Sequence, residues 1–419
     1  MNARPERAPR PGRLRTLSRS GAVVSLLIAA STLSTAQDLT KAPRDVVYVQ
    51  SNVPSGNAIL AYHRAADGGL TPLAGSPFAT RGAGISSTFE LGPYDSDQEI
   101  VANPSRTLLF ATNGGSDTIA VFKIAADGSL AHVPGSPFAS GGSNPVSLGL
   151  SGDVLCVVNK DDDPDHPGRY LPNYTSFRVT PAGRLIPVPR STIFEPLGSD
   201  PTQALIAPGG SLVFGADFLG GLLRSFAILP GGRLVPRATL PLPASQFAGT
   251  GAPPLPLGLA AHPSRVILYV GFVTVNRIGV YRYGADGSLR FVRSVPDSGA
   301  AVCWLRVNKA GTRLYASNTG DPSISVYDIS RDATMPIEIQ KVNLRSAPGS
   351  NPGGYQFELD PTESFLQVVS QQFAASSTTE ANALHVFRIG PDGRVTEVPG
   401  SPTVLPVPSL TRPQGVLSF

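Results

Sequence analysis

The sequence predicts an all-β fold, a seven-bladed β-propeller of four-stranded antiparallel blades. Three observations carry that prediction. A D-G-type turn recurs near Asp67, Asp127, Ala182, Gly231, Asp286, Asp332 and Asp392, at intervals of 46 to 60 residues. Apolar strands precede each turn and a short strand follows it, so each unit offers four short strands. The last seven residues, Pro413–Phe419, resemble an inner first strand with nothing after it, and the first unit, from Asp45, lacks that strand. Composition agrees. The 419 residues include 44 Gly and 41 Pro, only 15% are charged and 41% are hydrophobic, which excludes a coiled coil or helical bundle and leaves enough apolar material for a core.

In chain order, residues 1–36 come first. They carry six arginines and one acid (Glu6), then an apolar run from Gly21 to Leu33 and the small residues Ser34-Thr35-Ala36. This reads as a signal peptide cleaved before Gln37, which predicts a propeller over 37–419 and a periplasmic or secreted location. The segment carries +5 and the whole chain +4, so the remainder carries −1. The basic character therefore lies outside the propeller. No electrostatic case for nucleic acid remains, and no later apolar run has the length of a membrane span. A soluble monomer with no membrane insertion after cleavage is expected. Cys156 and Cys303 sit in apolar strand patterns of distant units and are expected to be buried free thiols.

Within each unit the D-G pair supplies the backbone angles of a two-residue hairpin turn. Stacking the units radially buries both faces of each sheet, and the C-terminal strand should complete blade 1, removing the open edge. The phrases LVFGADFLGGLLRSFAILPGGRL, LYVGFVTVNRIGVYRYGADGSL and LYASNTGDPSISVYDIS resemble the repeat of the seven-bladed lactonase-like propeller family. That family includes propeller-type 6-phosphogluconolactonases and carboxymuconate-lactonising enzymes. The resemblance covers residues 45–419. It implies a site at one mouth of the central channel, built from the ends of second strands and the starts of inner strands, with no organic cofactor.

A lactonase needs a group that aims water at an ester carbonyl and a donor for the oxyanion that forms. At the implied mouth the residues are rich in amides: Asn113, Asn159, Asn318 and Gln371 at second-strand ends, and Gln203 at an inner-strand start. These are candidate contacts to a small-molecule lactone or carbohydrate; they serve equally as caps of strand ends and turns. Asp217 and Arg224 match the family pattern of blade 4. Gln203 replaces the family's His there, and the blade 5 text PLGLAAHPSRVILYVGFV has Leu257 or Gly258 at the His position and Phe272-Val273 at the Asn-Glu pair. These departures tell against the classical lactonase chemistry, although another acid could replace the missing one. The insertion Asn159–His166 adds Asp161, a candidate substrate contact, and His166, a candidate proton carrier with Asp217 and Arg224. Its acids read as a solvated loop, and no metal is expected. The stretch Phe194–Gln203 enters the same face.

His262 reads as a turn residue. His63, His132 and His385 read as residues of outward strands, and none is expected beside a serine and an acid. Arg306 and Glu358 occupy equivalent inner-strand places in blades 6 and 7. They are expected to pair across adjacent strands, or to line the channel as a catalytic pair. Two functions follow: a lactonase-like enzyme acting on a lactone of a sugar acid or aromatic-degradation product, or a non-catalytic propeller that recognises a carbohydrate or envelope partner.

Overall fold

The computed structural model describes residues 43–85, 96–160, 171–247, 251–346, 352–372, 382–408 and 411–419. They form seven antiparallel sheets, each with its strands in sequential order from the axis outward except where the ring closes. There the C-terminal strand Gln414–Ser418 pairs with Val46–Gln50 and becomes the innermost strand of blade 1. The expected closure is therefore present. In blades 1, 2, 3 and 7 the outer strand is split into two short pieces, and both pair with the third strand. Helix among the described residues is limited to three short 3-10 turns.

The core is a ring of apolar layers between blades. The second strand of blade 3, Val154–Asn159, shows why such runs are almost wholly apolar. Leu155 and Val157 pack toward blade 2 against Leu108 and Phe110, while Val154, Cys156 and Val158 pack toward blade 4 against Val213 and Phe226. A strand held between two neighbouring sheets has no solvent face. Cys156 and Cys303 lie in different layers, buried and not joined in a disulfide.

Five of the blades also bond through a side-chain hydroxyl to the turn of the next one. Tyr48 Oη donates to the Gly128 carbonyl at 2.7 Å, Tyr269 to Ala333 at 2.7 Å and Tyr315 to Gly393 at 3.0 Å. Ser176 and Ser225 make the same bond to Gly232 and Gly287. The recurring turn thus serves two neighbours: it reverses its own chain and presents a carbonyl to the blade before it. Gly393 has φ +82, and a Cβ there would crowd the Arg313 side chain. At the seam between blades 7 and 1, Arg64 bonds both Asp45, at 2.5 Å, and Asp360, at 3.3 Å.

Replacing Tyr315 by Phe removes one such bond and should lower stability by about 1 kcal/mol, seen as a lower urea midpoint with an unchanged slope. Gly393→Ala should cost more than Tyr315→Phe in the same measurement, because a left-handed backbone and a crowded Cβ add to the loss.

Candidate functional site

Two clusters of charge stand out. The first lies on the axis. Residues Ser96–Glu99 lead into the inner strand of blade 2 (Ile100–Ala102), yet their partners come from four other blades. Ser96 O accepts from Trp304 Nε1 and from Gln356 Nε2, each at 2.7 Å. Asp97 receives both terminal nitrogens of Arg306, at 2.5 and 2.8 Å. Gln98 Oε1 accepts from Gln203 Nε2 at 2.8 Å, and the Gln98 carbonyl accepts from Leu148 N at 2.9 Å. A segment that reaches blades 3, 4, 6 and 7 together must cross the channel.

Arg306 also bonds Glu358 through Nε at 3.0 Å, so the expected pair across adjacent strands is present, with Asp97 as a third member. Burial works against the Arg306 charge, but Asp97 and Glu358 outweigh it and hold the guanidinium ionised. Glu99 is fully buried. Burial, reinforced by Asp97, holds its carboxyl well above the usual carboxylate range, against bonds from its own backbone and Ser96. Beyond Arg306 a cavity of about 250 Å³ opens toward the ends of the inner strands, lined by Leu259, Leu305, Val307 and Glu358 among others.

The second cluster sits between blades 3 and 4. Asp217 ends the second strand of blade 4 (Leu212–Asp217), and Arg224 lies one hairpin later on the third strand (Leu222–Ile228). Asp217 Oδ1 accepts the N–H groups of Asp200 and Gly220, both at 2.9 Å, and its Oδ2 accepts Arg224 Nη2 at 3.0 Å. The carboxylate thus caps the hairpin and orients the guanidinium. Arg224 Nη1 lies 2.9 Å from Oε2 of Glu195, which follows the outermost strand of blade 3. Lys160 Nζ pairs with Asp200 Oδ1 at 2.7 Å.

Burial raises the Glu195 carboxyl to about 7; Arg224 opposes the shift and Asp217 adds to it. The hydroxyl of Tyr174 and Nε of Arg224 are buried and have no partner among the described residues. Burial also pushes the Tyr174 phenol up. Tyr174 leans so far into blade 4 that a Cβ at Gly215 would collide with its hydroxyl, so only glycine fits there.

The remaining candidates are dispersed. Asn113, Asn159, Asn318, Gln203 and Gln371 are all fully buried. Asn113 Nδ2 bonds Thr118 while its Oδ1 accepts from Asn57 of blade 1. Asn159 bonds Asn173, and Asn318 bonds Ser323 and Ser325. Gln203 bonds the axial segment, and Gln371 Nε2 bonds the Pro413 carbonyl at 2.7 Å. In blade 7 the position equivalent to Asn113 is Ser370, which pairs with Ala383 as Asn113 pairs with Thr118, so Gln371 faces the other side of its sheet. Asp161 and His166 lie outside the described residues. The structure therefore joins Asp217 and Arg224 and adds Glu195, Lys160, Asp200 and Tyr174. Glu195 and Asp200 lie in the Phe194–Gln203 stretch noted in the sequence. Asp97 had no repeat counterpart to reveal it.

One histidine differs from expectation. His385 does stand between a serine and an acid: its Nε2 is 3.0 Å from Ser370 Oγ and its Nδ1 is 2.8 Å from Glu397 Oε1. Strand pairing brings Ser370 opposite Ala383, within reach of a residue two places on, which sequence spacing does not display. The group is sealed within blade 7, with Ser370 and His385 at most 1% exposed, and it ties second, third and outer strands together. His262 is a turn residue as expected, bonded to Gly311 O and Ser264 N. His63 is exposed, and His132 bonds Ala79 O and Ser136.

Removing one member of a buried ion pair leaves the other charge uncompensated. Asp97→Asn should therefore destabilise the protein by about 3 kcal/mol or more, measured by urea unfolding, whereas Arg178→Ala, at an exposed pair with Asp153, should change it by less than about 1 kcal/mol.

Comparison with known proteins agrees with this architecture. Residues 245–400 match the family model described as a lactonase, 7-bladed beta-propeller. A 6-phosphogluconolactonase from Serratia proteamaculans is 30% identical over 110 residues, which is 26% of this chain and 31% of that protein, so the match spans under a third of the relative's length. Among solved structures, the periplasmic gluconolactonase of Pseudomonas aeruginosa aligns with a TM-score of 0.61 at 17% identity, covering 85% of this chain and 98% of that one. A candidate 6-phosphogluconolactonase from Bacteroides fragilis aligns with a TM-score of 0.64 at 14% identity, covering 89% and 97%. At such identities the structural likeness shows the fold. The matched segment and the sequence relative support a likeness to the lactonase-like propeller family and to 6-phosphogluconolactonase, and the solved structures support the fold.

Proposed function

We propose that this protein is an exported hydrolase that opens an uncharged lactone of a sugar acid between blades 3 and 4. Glu195 is the proton acceptor, Arg224 the oxyanion donor and Asp217 the residue that positions Arg224. The observation that carries this reading is the Glu195 carboxyl, raised to about 7 by burial while 2.9 Å from Arg224. A base that titrates near neutral pH is matched to moving protons there.

The chemistry balances. Glu195 takes a proton from water as the water oxygen bonds to the lactone carbonyl carbon. The carbonyl electron pair moves to oxygen, where Arg224 stabilises the charge. The intermediate collapses, the ring C–O bond breaks, and the ring oxygen leaves as a hydroxyl with the proton from Glu195. The product acid ionises, releasing one proton. The charges favour an uncharged substrate: among the described residues Lys160 and Arg224 are both paired with carboxylates, those of Asp200, Glu195 and Asp217. Export is supported by the N-terminal pattern of residues 1–36 and by the periplasmic character of the Pseudomonas neighbour. Recognition of carbohydrate by exposed amides has less support, because Asn113, Asn159 and Asn318 are buried.

Proton release from glucono-δ-lactone, corrected for spontaneous hydrolysis, tests the proposal. Glu195→Gln should lower kcat/KM by about 100-fold or more. In the wild type, kcat/KM should fall about tenfold per pH unit below about 7, as Glu195 becomes protonated. Hydrolysis untouched by Glu195→Gln would remove this site from the reaction.

Stability gives a second check. The folded value lies above the ordinary 4.5, so folding favours the protonated form. Wild-type stability should then decline, relative to Glu195→Gln, as pH rises from 4.5 to about 7, and level off above.

A further inference from the structure

Four buried side-chain oxygens lie on neighbouring strands where blades 7, 1 and 2 join, and none has a hydrogen-bond donor among the described residues. They are Oε2 of Glu99 and Oε1 of Gln50, Gln356 and Gln414. Their proximity follows from their other contacts. Gln356 Nε2 bonds Glu99 Oε1 at 2.9 Å. Gln50 pairs directly with Gln414, and Gln50 Nε2 reaches the Thr112 carbonyl of blade 2 at 2.8 Å. Thr112 N in turn bonds the Glu99 carbonyl. A Cβ at Gly415, next to Gln414, would stand 3.2 Å from Glu99 Oε2.

The amide orientations are fixed by neighbours. Gln356 Nε2 faces two acceptors, Ser96 O and Glu99 Oε1, and Gln50 Nε2 faces a backbone carbonyl. Turning either amide over would set oxygen against oxygen. Their carbonyl oxygens therefore point away from these acceptors, buried and unbonded among the described residues, and a buried acceptor left so is costly.

We propose that these oxygens form a binding site for a hard metal cation, with Ca²⁺ as the best fit. A guest among four acceptors must supply only positive charge. Water has two hydrogens to give, whereas Ca²⁺ takes about six to eight oxygen ligands, amide carbonyls and carboxylates alike. A proton on Glu99 satisfies that oxygen and one amide, and leaves two amides bare. The ligands come from three blades, including the C-terminal strand, so the cation closes the ring at its seam. One carboxylate among neutral ligands gives low charge, and the affinity belongs in the weak range, with a Kd of about 10⁻⁴–10⁻³ M. The site is separate from Glu195 and Arg224, and its test does not depend on hydrolysis.

The test is thermal unfolding of the protein, first stripped with chelator and dialysed, then titrated with CaCl₂, MgCl₂, NaCl or KCl against choline chloride at equal ionic strength. Calcium isothermal titration follows. CaCl₂ should raise Tm by several degrees with saturation, and the heats should fit about one site per chain. Glu99→Gln and Gln356→Leu should each abolish the rise. If one of them fails to fold, Gln414→Ala, in the closing strand, should weaken Ca²⁺ at least about tenfold. A Tm that follows choline chloride alone for every cation overturns the proposal and leaves the oxygens to water or a proton. So does a Ca²⁺ response that survives all three substitutions.

Discussion

The structure is organised by one interaction that crosses its empty centre: the bidentate bond between Asp97 of blade 2 and Arg306 of blade 6. A propeller channel is a place where seven inner strands converge without touching, and polar groups that enter it must find partners across the gap. Here the chain before the inner strand of blade 2 enters the channel, and Trp304, Arg306, Gln356 and Gln203 all turn toward it. Blades that are far apart in sequence become directly bonded.

The layers between blades are apolar at every junction, and the junction of blades 3 and 4 combines that with charge. Val213 and Phe226 pack there beside Tyr174, while Arg224 and its two carboxylates lie at the same seam. Apolar residues of similar volume would often be as stable as such a buried ion cluster. The arrangement instead leaves a carboxyl raised to about 7 and two donors, Tyr174 Oη and Arg224 Nε, without partners among the described residues. Sites where packing rules are broken in favour of chemistry are where function is expected.

The sequence displayed the repeat because local physics writes it: hairpin turns need Gly, and strands between two sheets need apolar residues on both faces. The closing role of Pro413–Phe419 was legible for the same reason, since blade 1 lacked a strand that the last repeat had in excess. The pairing of Asp217 with Arg224 was legible through a family motif. What could not be read was anything set by reach across the ring. Asp97 lies more than 200 residues from Arg306 and has no counterpart in other repeats. Gln371 was displaced by one register step, which reverses the face of a strand residue, and His385 met Ser370 only through the pairing of second and third strands in blade 7.

The two halves of the ring therefore do different work with the same repeat. Between blades 3 and 4 the second-strand end carries an acid, Asp217, and the preceding blade supplies Glu195 and Lys160, so charge accumulates at a seam. At the closing seam the polar residues are amides, and the donors of Gln50 and Gln356 are drawn off by Thr112 O, Ser96 O and Glu99 Oε1. That leaves oxygen facing oxygen around Glu99. Ring closure in this molecule is made by a strand whose first residue, Gln414, faces those oxygens. A seam that must hold the chain terminus in place is also where mutual repulsion of acceptors is concentrated. A positive guest converts that repulsion into cross-linking among three blades, and the strand that closes the ring then contributes a ligand as well as a hydrogen-bonded edge.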